Sequence, residues 1–201
     1  YYFFMKNKYL NHHIFSALRP KQWTKNLSVF SAPLFSFSNS SDIWIAASAA
    51  LIGFCLLSSS IYLLNDVVDL KNDRNHPFKK YRSIASGKVS PGQAIIVSII
   101  LLIISLLIAS FINLFILTVF IAYLIIQYCY CFYLKKKPIL DIFCISAGFL
   151  LRAISGGIAA NLVISPWFLL SIALLALFLA IEKRKAELII SLKTGKVNRK
   201  V

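Results

Sequence analysis

Long apolar runs separated by short polar stretches set the plan of this chain. The runs cover about Trp23 to Phe37, Ile43 to Leu64, Ala94 to Leu134, Leu140 to Ala160 and Pro166 to Ile181. A helix crossing the hydrocarbon of a bilayer needs about 20 apolar residues, so Ile43 to Leu64 is one crossing. Ala94 to Leu134 is too long for one and holds two, with the turn expected between Ser110 and Asn113. The first run is short and carries Pro33, which predicts a kinked or tilted span. The pattern therefore predicts an all-α integral membrane protein with about six crossings.

Composition agrees: 59% of the 201 residues are hydrophobic, too many for a soluble domain of this size. The formal net charge of +15 would suit nucleic acid, but the basic residues lie in short loops between apolar spans instead of along one exposed face. Anionic lipids and phosphates are the expected partners, and nucleic acid is not. Of the 22 Lys and Arg residues, all except Arg152 fall in the N-terminal segment, the 65–92 loop, the 135–137 loop or the tail after Ile181. Six crossings put those four regions on one side, which the positive-inside rule makes cytoplasmic, in a cell membrane. Cys55, Cys129, Cys131 and Cys144 all fall in apolar runs without metal-ligand spacing and read as packing residues. No cleavable signal peptide is expected, because no continuous apolar region precedes Arg19.

The candidate chemistry concentrates between Asn65 and Lys88, NDVVDLKNDRNHPFKKYRSIASGK, which holds three of the seven acids. If Ile61 to Arg74 were one helix, Asp66, Asp69 and Asp73 would share a stripe, with Asn65 at its border. Three carboxylates on one face repel unless cations compensate them. Magnesium is one such cation, because it takes carboxylate oxygens, keeps waters and bridges to substrate phosphates. Downstream, Arg74, Lys79, Lys80, Arg82 and Lys88 are placed to receive phosphates. The plainer alternative is a solvated loop with positive-inside lysines and incidental acids.

Asn65-Asp66-x-x-Asp69-x-x-x-Asp73-Arg74, followed by His76-Pro77-x-Lys79-x-x-Arg82-x-Ile84-Ala85-Ser86-Gly87, resembles the first signature of the UbiA superfamily of intramembrane prenyltransferases. Members of that family usually carry Pro where this chain has Ser83. The resemblance implies a nine-helix bundle, so residues 1–201 are expected to be a single transmembrane domain truncated at its C-terminus. Its motif loops are 65–92 and 135–138. It also implies Asp66, Asp69 and Asp73 as catalytic, metal-holding residues, with Mg2+ as the cofactor, Asn65 orienting a carboxylate or touching phosphate, and Arg74, Lys79 and Arg82 on the substrate. His76 is either an assisting acid or base or a structural helix-end residue.

Three further stretches resemble the polyprenyl-phosphate phosphoribosyltransferase branch of that family. They are Arg19-Pro20-x-Gln22-Trp23-x-Lys25-Asn26, the run from Leu134-Lys135 through Pro138 and Asp141 to Arg152, and Glu182-Lys183-Arg184 with Glu187-Leu188. The first stretch also suits a plain interfacial anchor of Trp and cations. Arg152, the only basic residue within a span, needs an anionic partner, which is either a ligand or a structural carboxylate or carbonyl. Gly148, Gly156 and Gly157 read as close-packing positions.

The resemblance implies transfer of 5-phosphoribosyl from phosphoribosyl diphosphate to a decaprenyl-type polyprenyl phosphate, releasing pyrophosphate. Lys25, Lys135, Asp141, Arg152, Lys183 and Arg184 would be further substrate contacts, and a homo-oligomer is possible. Aromatic prenyltransferases of the family carry a second DxxxD-like motif, whereas Asp141 here is followed four residues later by Ile145. The rival readings are such an aromatic prenyltransferase, a transporter using the same charges as an ion path, and a noncatalytic lipid-binding scaffold.

Overall fold

The computed structural model describes residues 12–37, 39–134 and 137–194, and every regular element among them is helical. A 3-10 helix, Pro20–Phe30, runs into the short α1, Ser31–Phe35. The long helices come next: α2, Ser41–Val68, with the short α3, Leu70–Asn75, at its end; α4, Pro91–Ile112; α5, Leu114–Phe132; α6, Pro138–Ala159; and α7, Pro166–Thr194. Five of these, α2 and α4 to α7, are long and apolar enough to cross a membrane. Helices suit that solvent because each backbone group is satisfied within its own segment.

The helix starts reflect local chemistry. Pro91, Pro138 and Pro166 each open a helix, where a missing N–H costs nothing. Ser90 and Gln93 form a capping box before α4, and the side chain of Asn113 accepts from Phe115 N–H at 2.9 Å, dividing α4 from α5 within the expected turn.

The first expected crossing is wound differently from the others. Eleven residues of 3-10 helix rise about 2.0 Å each, so with α1 the segment spans nearly the ~30 Å of a hydrocarbon core despite its few residues. Three residues per turn also align Trp23, Asn26 and Val29 on one face. Trp23 Nε1 donates to Ser59 at 2.9 Å, Asn26 Nδ2 donates to Ser58 at 3.1 Å, and Val29 is fully buried.

Helices α2 and α6 form the centre, with 56% and 50% of their apolar windows buried, against 11% for α7 at the edge. Phe54 of α2 packs on Phe120 and Tyr123 of α5 at ring separations of 4.4 and 5.3 Å. Hydroxyls tie α2 to α4: Ser60 donates to Ser98 O (2.8 Å), Ser98 donates to Ser60 O (2.9 Å), and Ser105 donates to Gly53 O (3.0 Å). Within apolar surroundings such bonds contribute roughly 0.6 kcal/mol each.

Gly156 of α6 sets the spacing to the 3-10 helix. A Cβ there would lie 1.7 Å from the Val29 carbonyl oxygen, a backbone atom that cannot swing away. The packing reading of Gly156 and Gly157 therefore holds, and the close approach is what brings Asn26 onto Arg152.

Candidate active site

The acidic stretch does not form one continuous helix. Helix α2 ends at Val68, Asp69 sits at the junction with φ −88° and ψ 5°, and α3 resumes at Leu70. The change of direction divides the triplet. Asp66 and Asp73 are buried, at 4% and 3% exposure, whereas Asp69 is half-buried at the bend.

The two buried carboxylates converge on Arg82, whose Nη1 donates to Asp66 at 3.1 Å and to Asp73 at 2.7 Å. Arg19 donates to the same Asp66 oxygen and stacks over Tyr62 at 5.2 Å, from a left-handed backbone with φ 56°. Such a backbone is costly for a non-glycine residue and persists where surrounding contacts over-determine it. Arg82 is aimed by the loop that carries it. Ile84 and Val89 are buried against Leu63 and Ala94, Ser86 N–H bonds Arg82 O at 2.9 Å, Val89 N–H bonds Ser83 O at 3.0 Å, and Gly87 supplies the required φ of 79°. Ser83 thus holds the turn through its carbonyl, which a proline would keep.

Among the described residues no group of three or more His, Cys, Asp or Glu is arranged for a metal. The donor chemistry nevertheless suits magnesium: two buried carboxylates offer only oxygen and already face a common cation. Asp66 and Asp73 are the residues that would hold the ion, and Arg82 supplies their counter-charge.

His76 serves the loop. Its Nδ1 accepts from the backbone N–H of Phe78 (3.2 Å) and Lys79 (3.3 Å), which requires an unprotonated Nδ1. Burial, then the neighbouring Lys79 ammonium, lowers its pKa. This supports the structural role for His76.

The other expected site residues are scattered. Asn65 is half-buried in α2, and its carbonyl accepts from Asp69 N–H at 2.9 Å. Arg74 is exposed and Lys79 half-buried at the rim of the loop. Asp141 pairs with Arg184 at 3.7 Å, tying the start of α6 to the polar part of α7. Lys183 is exposed on the same end of α7, and Lys135 lies outside the described residues.

A second charged centre lies deeper. Arg152 is 5% exposed and is held by neutral groups: Nε donates to Asn26 Oδ1 at 2.7 Å and Nη2 to the Tyr123 hydroxyl at 2.6 Å. Its guanidinium stacks over Tyr123 and Phe149 at 4.9 and 5.5 Å. Since Asn26 also bonds Ser58, this centre sits about 12 Å along α2 from Asp66. Lys25 lies in the fields of Lys183, Arg152 and Arg19. Arg19, Asn26 and Tyr123 were not expected as site residues. The only hint in the sequence was the polar RPKQWTKN stretch, and Tyr123 had none.

The site is thus a buried carboxylate pair under a basic loop at the end of a bundle of apolar helices. The sequence profile described as "UbiA prenyltransferase family" matches residues 27–187, and the chain belongs to that family. Among curated relatives, the decaprenyl-phosphate phosphoribosyltransferase of Mycolicibacterium smegmatis is 42% identical over 192 residues, covering 93% of this chain and 60% of that protein. The Mycobacterium tuberculosis protein of the same name is 38% identical, covering 93% and 64%. The chain thus spans about three-fifths of the length of these relatives. In fold it is similar to a UbiA homolog from Archaeoglobus fulgidus bound to GPP and Mg2+, with TM-score 0.76 and 22% identity over 91% of this chain and 66% of that one.

Proposed function

We propose that this protein transfers a 5-phosphoribosyl group from phosphoribosyl diphosphate to a decaprenyl-type polyprenyl phosphate, releasing pyrophosphate, at the cytoplasmic face of the cell membrane. The observation that carries the reading is the buried Asp66–Asp73 pair closed by Arg82, within a sequence 42% identical to a decaprenyl-phosphate phosphoribosyltransferase. An acceptor phosphate is ionised at neutral pH, so its oxygen attacks the ribose C1 as the C1–diphosphate bond breaks, without a strong general base.

Asp66 and Asp73, with Asn65 and Asp69 beside them, would hold magnesium, which when bound neutralises the charge developing on the leaving diphosphate. Arg82 and Arg19 neutralise the two carboxylates and are placed to pass their hydrogen bonds to phosphate oxygens. Arg74 and Lys79 line the approach, and Asp141 with Arg184 fixes the wall formed by α6 and α7. Purified protein supplied with magnesium, labelled phosphoribosyl diphosphate and polyprenyl phosphate tests the reading. Label is expected in the lipid product. Label entering lipid only from a prenyl diphosphate onto an aromatic acceptor would replace this reading with the aromatic prenyltransferase one.

A further inference from the structure

The turn that delivers Arg82 to the acidic pair has a second face. Arg82 reaches inward to Asp66 and Asp73, whereas the neighbouring Tyr81 is 72% exposed and Phe78, three residues earlier, is 78% exposed. The backbone that presents both rings is fixed. His76 Nδ1 accepts from the backbone N–H of Phe78 and of Lys79, Tyr81 N–H bonds Phe78 O at 3.4 Å, and Arg82 N–H bonds Lys79 O at 3.0 Å. Two large rings held away from the core in this way call for a partly apolar surface beside them, since in water they forfeit the gain of burial.

What surrounds the rings is cationic. Lys71, Arg74, Lys80 and Lys88 are all exposed, and no carboxylate among the described residues pairs with them, the buried Asp66 and Asp73 being held by Arg82. The Lys80 ammonium lies 5.1 Å from the centre of the Tyr81 ring. The stretch also runs beside the spans instead of beyond them: Ile84 and Val89 are buried against Leu63 of α2 and Ala94 of α4, with Val97 and Leu101 packed on the same cluster. Rings and cations together at the ends of apolar spans match the interfacial zone of a bilayer, where aromatic rings sit at head-group depth and cations meet anionic lipid. At the opposite end of the spans Phe111 and Trp167 are as exposed, at 86% and 78%, but the connections there carry no Lys or Arg. The pairing of rings with cations is particular to this turn.

We infer that the 76–82 turn is an interfacial anchor that seats Phe78 and Tyr81 among anionic phospholipid head groups, with Lys71, Arg74, Lys80 and Lys88 as its charge contacts. Charge complementarity selects the occupant: each cation near an anionic leaflet favours it by roughly fivefold, and no exposed acid in the turn opposes them. The anchor is independent of the reaction proposed above.

The test places an indole at the turn. The three tryptophans of the chain, Trp23, Trp44 and Trp167, give the baseline emission of the wild type. Phe78→Trp is reconstituted in mixed bilayers of phosphatidylcholine and phosphatidylglycerol, with bromine on the acyl chains of one lipid or the other. The added emission should be quenched at least about twofold more by the brominated phosphatidylglycerol, and the preference should vanish in about 1 M salt and in a background of Lys71→Gln, Lys80→Gln and Lys88→Gln. Tyr81→Trp repeats the measurement at the second ring and decides if Phe78→Trp does not fold. Quenching by neither lipid would place the turn against water or protein and overturn the anchor. Quenching by phosphatidylcholine as strong as by phosphatidylglycerol, or a preference that survives salt and the glutamine substitutions, would overturn its recognition of anionic lipid.

Discussion

The two buried charge centres of this protein solve the same problem in opposite ways. At the end of α2, Asp66 and Asp73 meet arginines that come from flanking loops, Arg19 before the 3-10 helix and Arg82 from the turn beyond α3. Deeper in, Arg152 is fixed on α6 by Asn26 and Tyr123, both neutral and both on regular elements. The first centre holds charges that a loop movement can exchange. The second holds its charge through partners that cannot move without unpacking the bundle. The difference separates a centre whose counter-charges sit on loops from one held within the helices.

The comparison breaks most directly at the acidic pair. Asp66→Asn or Asp73→Asn should lower phosphoribosyl transfer by on the order of 10²–10³, with chelation doing the same to the wild type, while size-exclusion profiles stay unchanged. Asp69→Asn, at the bend and outside the Arg82 bridge, should cost less. Equal losses at all three positions would mean that the triplet closes into one cage when loaded.

Exchange at this centre is sharpened by Arg82→Gln. Losing charge-assisted bonds to two buried carboxylates should destabilise the metal-free protein by about 1.5–3 kcal/mol, while magnesium, no longer competing with a guanidinium, should give half-maximal thermal stabilisation at lower concentration. A magnesium requirement that rises would show Arg82 assisting the metal instead.

The rigid centre is tested by Gly156→Ala, which sets a methyl against the Val29 carbonyl and should cost about 1–3 kcal/mol in thermal unfolding in detergent. An unchanged unfolding temperature would mean that the 3-10 helix is not pinned there.

The smallest effect concerns His76. Its folded-state pKa lies below the ordinary 6.5, so its contribution to stability is fully present above that pH and is lost as pH falls through the folded value. His76→Asn, which keeps an acceptor but does not titrate, should flatten the decline of unfolding temperature between about pH 7 and 5. Identical profiles would remove His76 from the loop's acid sensitivity.

Spans and their ends were legible because apolar run length and capping residues are local: Pro91, Pro138, Pro166 and Asn113 mark boundaries that the helices keep. The acids were legible as a group, yet their division was not, since the bend at Asp69 depends on how Ile84 and Val89 anchor the next loop. Arg19 was legible as part of a motif or as an interfacial cation, but its pairing was not, because its partner Asp66 lies 47 residues away in sequence. Tyr123 gave no signal at all, being one aromatic in an apolar helix until packing set its hydroxyl against Arg152.

The winding of Pro20–Phe30 acts as a ruler for the chain. With a threefold screw, Trp23, Asn26 and Val29 keep their common direction only if the segment changes length in whole turns. Adding one residue after Trp23 would rotate the remainder of the segment by about 120° and carry the amide at 26 away from the guanidinium, whereas adding three would restore its direction. Natural length variation in this segment should therefore come in steps of three.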